Sequence, residues 1–280
     1  AREACSTLGQ YAEALEHLEG AVAAASAARD ASREAEAHRL VAATHDFVGN
    51  FDLAVQSHQQ ALRLHEGLGD DRGRAKLMRT IGVCVSKAGG FEEAIGWYRR
   101  SLETARRAGD EESAMRSLVN IGIDMKNRGR FEESLALYEE SLAIARAHGL
   151  DHFAASIQGN MGNTLALLGR LDEADRCLTH ALEIHRTSGA PHALQNDLVG
   201  LGRVRLRQGR LDEAQALLEE GLAVAQDNRF RPDLGSAHEA LAELHKTRGD
   251  AARALAHYED FNAFTREILL LIVVVYLSGL

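Results

Sequence analysis

From residue 9 onward, apolar positions recur in steps of three and four, the spacing that lines up side chains on one face of an α-helix. Within residues 89–128 the stripe is Phe91, Ala94, Ile95, Tyr98, Leu102 and Ala105. It follows a Gly89-Gly90 turn and the acidic pair Glu92-Glu93, whose charge opposes the helix dipole. This segment predicts helix B of a unit. Gly109 is suited to the left-handed conformation that ends it, and Asp110 to capping a second helix, helix A, that runs to about Arg128. Pro191 and Pro232 sit near the starts of later helices, where a missing N–H costs nothing.

The unit repeats. Glycine stands at 9, 49, 89, 129, 169, 209 and 249, a constant spacing of 40 residues, and a turn is expected at each. Five residues after each comes a small residue: Ala14, Ala54, Ala94, Ser134, Ala174, Ala214 and Ala254. A second glycine column, Gly82, Gly122, Gly162 and Gly202, falls inside helix A. Glycine there costs about 1 kcal/mol relative to alanine, so it implies close helix packing, with Ala94 as the small residue facing Gly122. Such pairs cannot bury their apolar faces alone, and neighbours must stack.

Composition narrows the class. Two prolines and 5% aromatics in 280 residues favour long helices over a turn-rich β-sandwich, so the fold is expected to be all-α. Three cysteines without a C-x-x-C spacing, Cys5, Cys84 and Cys177, fit a reducing, cytoplasmic compartment. A net charge of -9 argues against nucleic acid as a partner. The preference for Arg over Lys, with abundant Ala, Gly and Leu, points to a GC-rich bacterial genome.

Ile121-Gly122, Gly129, Phe131, Ser134 and Tyr138 resemble the tetratricopeptide repeat (TPR), which places Leu-Gly on helix A and then Gly, an aromatic, Ala and Tyr or Phe on helix B. The 40-residue period is similar to the extended repeats of the Pins/LGN scaffold family and of bacterial regulators, and Asn160-Met161-Gly162-Asn163 is similar to the Pins/LGN Asn-Leu-Gly-Asn. The early helix A Trp of the family is absent. The resemblance implies a right-handed solenoid over residues 9–266, with 1–8 as the end of a preceding helix A and 267–280 as an apolar tail. The chain opens with Ala1, as expected of a piece of a longer protein.

In the TPR family helix A lines the concave surface, and ligand contacts come from fixed positions around its glycine. Carried across, these give Lys76, Arg79, Thr80, Val83, Ser86 and Lys87 in one repeat. The next repeat gives Arg116, Val119, Asn120, Ile123, Lys126 and Asn127. Later repeats give Ser156, Asn160 and Asn163, then Asn196, Arg203, Leu206 and Arg207. These positions hold bases and amides and almost no acids before Glu239 and Glu243. The resemblance therefore implies a non-catalytic scaffold or sensor whose groove binds a protein or peptide, acidic or with a free C-terminal carboxylate. The alternative is the regulatory region of a larger bacterial signalling enzyme or transcription factor.

No catalytic motif, cofactor or metal site is expected. Gly67-Leu68-Gly69 and Gly200-Leu201-Gly202 follow no strand. His38/His45, His58/His65 and His238/His245 are spaced to share faces, but no carboxylate or Cys column completes a ligand set. Cys84 and Cys177 read as core fillers. Residues 268–277 are uniformly apolar, and 268–280 spans about 20 Å as a helix, short of a bilayer. Four readings fit this tail: a truncated membrane segment, a buried cap, a segment seated in a groove, or a cloning remnant. Its expected cover is a groove or self-association.

Overall fold

A computed structural model describes the backbone of residues 2–228 and 231–278, and the side chains of 11–228, 234–263 and 266. Among the described residues there are thirteen helices and no strands: α1 (Arg2–Ala27), α2 (Ala31–Phe47), α3 (Phe51–Leu68), α4 (Asp71–Lys87), α5 (Phe91–Arg107), α6 (Glu111–Asn127), α7 (Phe131–Ala147), α8 (Asp151–Leu167), α9 (Leu171–Ser188), α10 (Pro191–Arg207), α11 (Leu211–Asp227), α12 (Arg231–Thr247) and α13 (Ala251–Ser278). Consecutive helices pack against one another, the arrangement of a TPR solenoid. Even-numbered helices are helices A, and odd-numbered ones are helices B.

From α2 onward each helix starts 20 residues after the one before, half the period that the glycine column displays. The reason lies in the turns. Gly49, Gly69, Gly89, Gly109, Gly129, Gly149, Gly169, Gly189, Gly209 and Gly249 all have φ between 62° and 89°. At a typical one, the Gly109 N–H donates to the Arg106 carbonyl and the Asp110 N–H to that of Ala105, at 3.2 and 2.9 Å, closing α5. Asp110 then caps α6 by accepting from the Ser113 N–H at 3.1 Å. Asp30 and Asp70 cap α2 and α4 the same way. Arg29, one 40-residue period before Gly69, takes the same left-handed conformation with φ 53° despite its Cβ.

Gly9 departs from the expected turn: α1 runs through it without a break. Residues 2–8 are too few to fold back as a partner helix, and helix propagation gains a hydrogen bond per residue.

The inner glycines are packing contacts. A Cβ on Gly82 would lie 2.5 Å from the Tyr98 ring and 3.2 Å from the Ala94 carbonyl oxygen, and one on Gly162 would meet Leu178 at 2.6 Å and the Ala174 carbonyl at 3.2 Å. Ala94 is therefore matched with Gly82 on the preceding helix, rather than with the Gly122 expected from sequence. Gly82, Gly162 and Gly202 each face the alanine twelve positions downstream.

The chain divides into two compact units, residues 1–124 with 271–280, and residues 125–270. In the first, Ile81, Met115 and Leu118 are fully buried, and Ala75, Ala105 and Ala114 pack together beside Leu102. In the second, Leu135, Leu165, Leu178, Leu182, Leu198, Leu201 and Val204 form one core cluster, and Leu206, Leu218, Leu241 and Leu244 belong to the next. There α10 also touches both α8 and α12, so successive helices A make a wall. Among the described residues no helix is long and apolar enough to cross a membrane. What surrounds the side chains of 268–280 lies outside the described residues.

Candidate functional site

The helix A positions form two chemically different surfaces, one in each unit. On α4, Lys76, Arg79, Val83 and Lys87 follow the three-and-four spacing of a single helix face. Lys87 is engaged: its Nζ lies 2.8 and 2.9 Å from the two carboxylate oxygens of Asp46 on α2, and 5.9 Å from the Phe51 ring centroid. On α6, Arg116 Nε donates to Glu112 at 2.9 Å. Val119 and Ile123 are half-buried beside it. Of the acids that answer these cations, Glu112 lies outside the positions read as a nearly acid-free surface, and Asp46 stands on α2 one 40-residue period before Ser86, in a repeat that the reading did not cover.

Arg79 and Asn120 differ. Arg79 Nε and Asn120 Nδ2 are buried donors without an acceptor. Burial pushes the Arg79 guanidinium below its ordinary value, and the positive field of Arg116 pushes it further the same way. A buried donor left unmade costs about 1–3 kcal/mol, more when charged. An anion accepting from both groups would remove that cost and offset the repulsion between the two arginines.

In the second unit, Lys126, Asn163, Asn196, Arg203 and Arg207 line one cleft of about 400 Å³, floored by Val199, Gly200 and Leu206 and joined by Ser236 and Glu243. Gly200 leaves room there for the Asn163 amide, which a Cβ would push aside. The guanidinium groups are already answered. Arg203 donates to the Ser236 carbonyl at 3.0 Å and to Glu239 at 2.7 Å, and Arg207 donates to the Ala166 carbonyl. Desolvation pushes the Lys126 ammonium below its ordinary value. Asn127 is exposed and Asn160 half-buried, and neither lines the cleft.

Sequence reasoning missed a convergent polar group in this unit. His185 on α9 and Asp197 on α10 are buried, with Nδ1 and Oδ2 2.5 Å apart, and His185 Nε2 lies 3.2 Å from Ser156 Oγ on α8. Burial pushes the Asp197 carboxyl up, against the lowering effect of its bond to His185. Gly159 makes room, since a Cβ there would lie 2.4 Å from Asp197 Oδ1. The atom order is that of a hydrolytic triad, but two features argue against that chemistry. The His152 carbonyl, 3.1 Å away, competes for the hydroxyl proton, and Ser156 sits mid-helix, where neighbouring N–H groups are committed to the ladder and cannot stabilise an oxyanion. The group braces three consecutive helices.

The two described thiols, Cys84 and Cys177, sit in environments that disfavour the thiolate. Burial pushes Cys84 up to about 12 and raises Cys177 as well. The acidic pairs at helix starts are structural too: Glu133, Glu173 and Glu213 each pair with the arginine three residues before, Arg130, Arg170 and Arg210.

The family model for the MalT-like TPR region matches residues 49–270. A search of curated proteins finds no match. Among solved structures, aspartyl phosphate phosphatase F from Bacillus subtilis aligns with a TM-score of 0.74 at 13% identity, covering 94% of this chain and 68% of that one. The Rap conjugation gene regulator of plasmid pLS20, solved in complex with the Phr* peptide, gives 0.65 at 16% identity, covering 89% and 77%. A signal transduction ATPase with numerous domains from Pyrococcus horikoshii, which carries a tetratricopeptide repeat sensor, gives 0.66 at 16% identity, covering 86% of this chain and 38% of that one. Identities this low speak for the fold alone.

Proposed function

The chain belongs to the MalT-like TPR region family, and from that premise we propose that it is a non-catalytic sensor module that binds a peptide or protein segment through a carboxylate. The observation that carries the proposal is the pair of unanswered buried donors, Arg79 Nε and Asn120 Nδ2, on successive helices A with Arg116 close enough to perturb Arg79. A side-chain or C-terminal carboxylate supplies the acceptors that Arg79 Nε and Asn120 Nδ2 lack. The Asn163 and Asn196 amides of the second cleft suit the backbone of an extended peptide. The Rap regulator solved with Phr* supports a peptide as the class of ligand.

The absence of catalysis belongs to the same reading: the Ser156–His185–Asp197 group lacks an oxyanion site, and the described thiols are held protonated. A bacterial, cytoplasmic setting is part of the same reading, and the composition and the free thiols of Cys84 and Cys177 support it.

The test is an array of acidic and neutral peptides, each with a free and an amidated C-terminus. Hits should be carboxylate-dependent, and Arg79→Met should weaken them roughly tenfold or more, the worth of a charged hydrogen bond. Hits indifferent to amidation, to acidic side chains and to Arg79→Met would overturn the proposal.

A second reading is favoured by the Pyrococcus protein, in which the repeat region is a sensor within a longer chain. On that reading this array is the sensing region of a larger signalling enzyme or transcription factor. The sequence of the full gene decides between the two.

A further inference from the structure

We propose that His238, His257 and Asp260 form a binding site for a divalent transition cation, with Zn²⁺ best matched to the donors. The site lies within the second unit and is independent of the peptide surface. It corrects the expectation that no carboxylate completes a ligand set around the histidine pairs. Asp260 does so, together with a third histidine supplied by α13.

His238 projects from α12, while His257 and Asp260 are three residues apart on α13 and so share a face. His238 Nδ1 lies 3.0 Å from His257 Nδ1 and 3.5 Å from Asp260 Oδ2, and one ligand atom from each of the three residues falls within 4.8 Å of the others. A tetrahedral zinc ion with ligands at 2.0–2.1 Å sets its donor atoms about 3.3 Å apart, which these distances bracket.

Hydrogen bonding alone accounts poorly for the trio. An imidazole Nδ1 has one in-plane direction, either a proton or a lone pair, so it serves one partner well. Here two partners converge on it. A cation between the three atoms satisfies all of them at once.

The surroundings are those of a built site. His238 is 6% exposed and His245 3%. The His245 ring stacks on His257 with centroids 5.5 Å apart and planes 8° apart, which fixes the orientation of the ligand ring. His245 Nδ1 is itself buried without a partner. The Asp260 side chain is 58% exposed, leaving an entry path and room for water as a fourth ligand. Two nitrogens and one oxygen suit zinc or its transition-metal neighbours, whereas calcium and magnesium demand oxygens. A bound ion would clamp α13 to α12.

The experiment uses tag-free protein stripped with chelator and titrated with Zn²⁺ by calorimetry and with Co²⁺ by absorption. The expected result is one equivalent bound, a Co²⁺ spectrum of low coordination number, and a rise in Tm with Zn²⁺. Asp260→Asn and His257→Asn should each weaken Zn²⁺ binding by roughly tenfold or more. Because Asp260 is exposed, its variant should keep the metal-free Tm of the parent, so a weakened affinity there cannot be ascribed to unfolding. Absence of stoichiometric binding, or an affinity unchanged in both variants, would overturn the proposal, the latter by placing the ion on other histidines.

Discussion

Two buried histidines, one in each unit, are equally hidden from water and differently served. His58 and His185 are both 2% exposed. In the second unit His185 is held by Asp197 and reached by Ser156, whereas in the first His58 Nδ1 has no partner and burial pushes the ring down to about 4. The arginines show the same contrast. Arg203 is answered by Glu239 and the Ser236 carbonyl, while Arg79 Nε is unanswered. A repeat copies the backbone from unit to unit without copying its chemistry. Where one surface closes its own polar groups, the other leaves donors for a ligand.

The largest effect expected from this contrast is at the brace. Asp197→Ala strands a buried histidine and should destabilise the second unit by about 3–5 kcal/mol, read from urea midpoints. Asp197→Asn, which keeps the shape and a hydrogen-bond acceptor, should cost less. A loss below about 1 kcal/mol for the alanine variant would show that His185 needs no partner and would erase the distinction from His58.

Next comes acid. His58 titrates at about 6.5 when unfolded and about 4 when folded, so the unfolded chain binds the proton more tightly. Its contribution is fully present above pH 6.5 and is lost as pH falls through the window down to about 4, roughly 3 kcal/mol in all. Asp197 has the opposite sign. Its folded value is raised, so its contribution is present below the unfolded value of 3.8 and is lost as pH rises through the folded value. His58→Leu should flatten the acid limb of a stability profile over pH 4–6.5. An unchanged limb would mean that His58 keeps its proton on folding.

A smaller effect tests the turns. Arg29 carries the left-handed conformation that glycine carries at the equivalent Gly69, so Arg29→Gly should stabilise by about 0.5–1 kcal/mol, the relieved Cβ strain less the entropy glycine gains when unfolded. A lower Tm in the variant would show that Arg29 contributes contacts worth more than the strain.

How far these features were legible in the sequence depends on whether they repeat. Gly49, Gly89 and Gly129 announced the 40-residue unit because a left-handed turn tolerates few other residues, and Gly69 and Gly109, midway between them, already carried the 20-residue spacing of the helices. The close-packing role of Gly82 and Gly162 was legible as well, although the sequence matches Ala94 with Gly122 on the following helix α6, where the structure matches it with Gly82 on the preceding helix α4. Single-copy chemistry was harder. Asp197 stands where other repeats have Ala37, Leu77, Ser117, Ile157 and Ala237, and a lone acid in a mostly apolar column was the available signal for a buried partner. His257 and Asp260 lie on α13, where the repeat columns lapse, so no column pointed to them. Whether Lys87 turned to Asp46 or to a ligand depended on rotamers, which carry no sequence period.

The central claim is that the unanswered surface around Arg79, and not the self-answered one around Arg203, sets affinity. The measurement is fluorescence anisotropy of one carboxylate-bearing peptide hit against the parent, Arg79→Met and Arg203→Met at low and high salt. Arg79→Met should weaken binding roughly tenfold or more and flatten its salt dependence, and Arg203→Met should change affinity about twofold or less. Equal losses in the two variants, or a larger loss for Arg203→Met, would contradict the account.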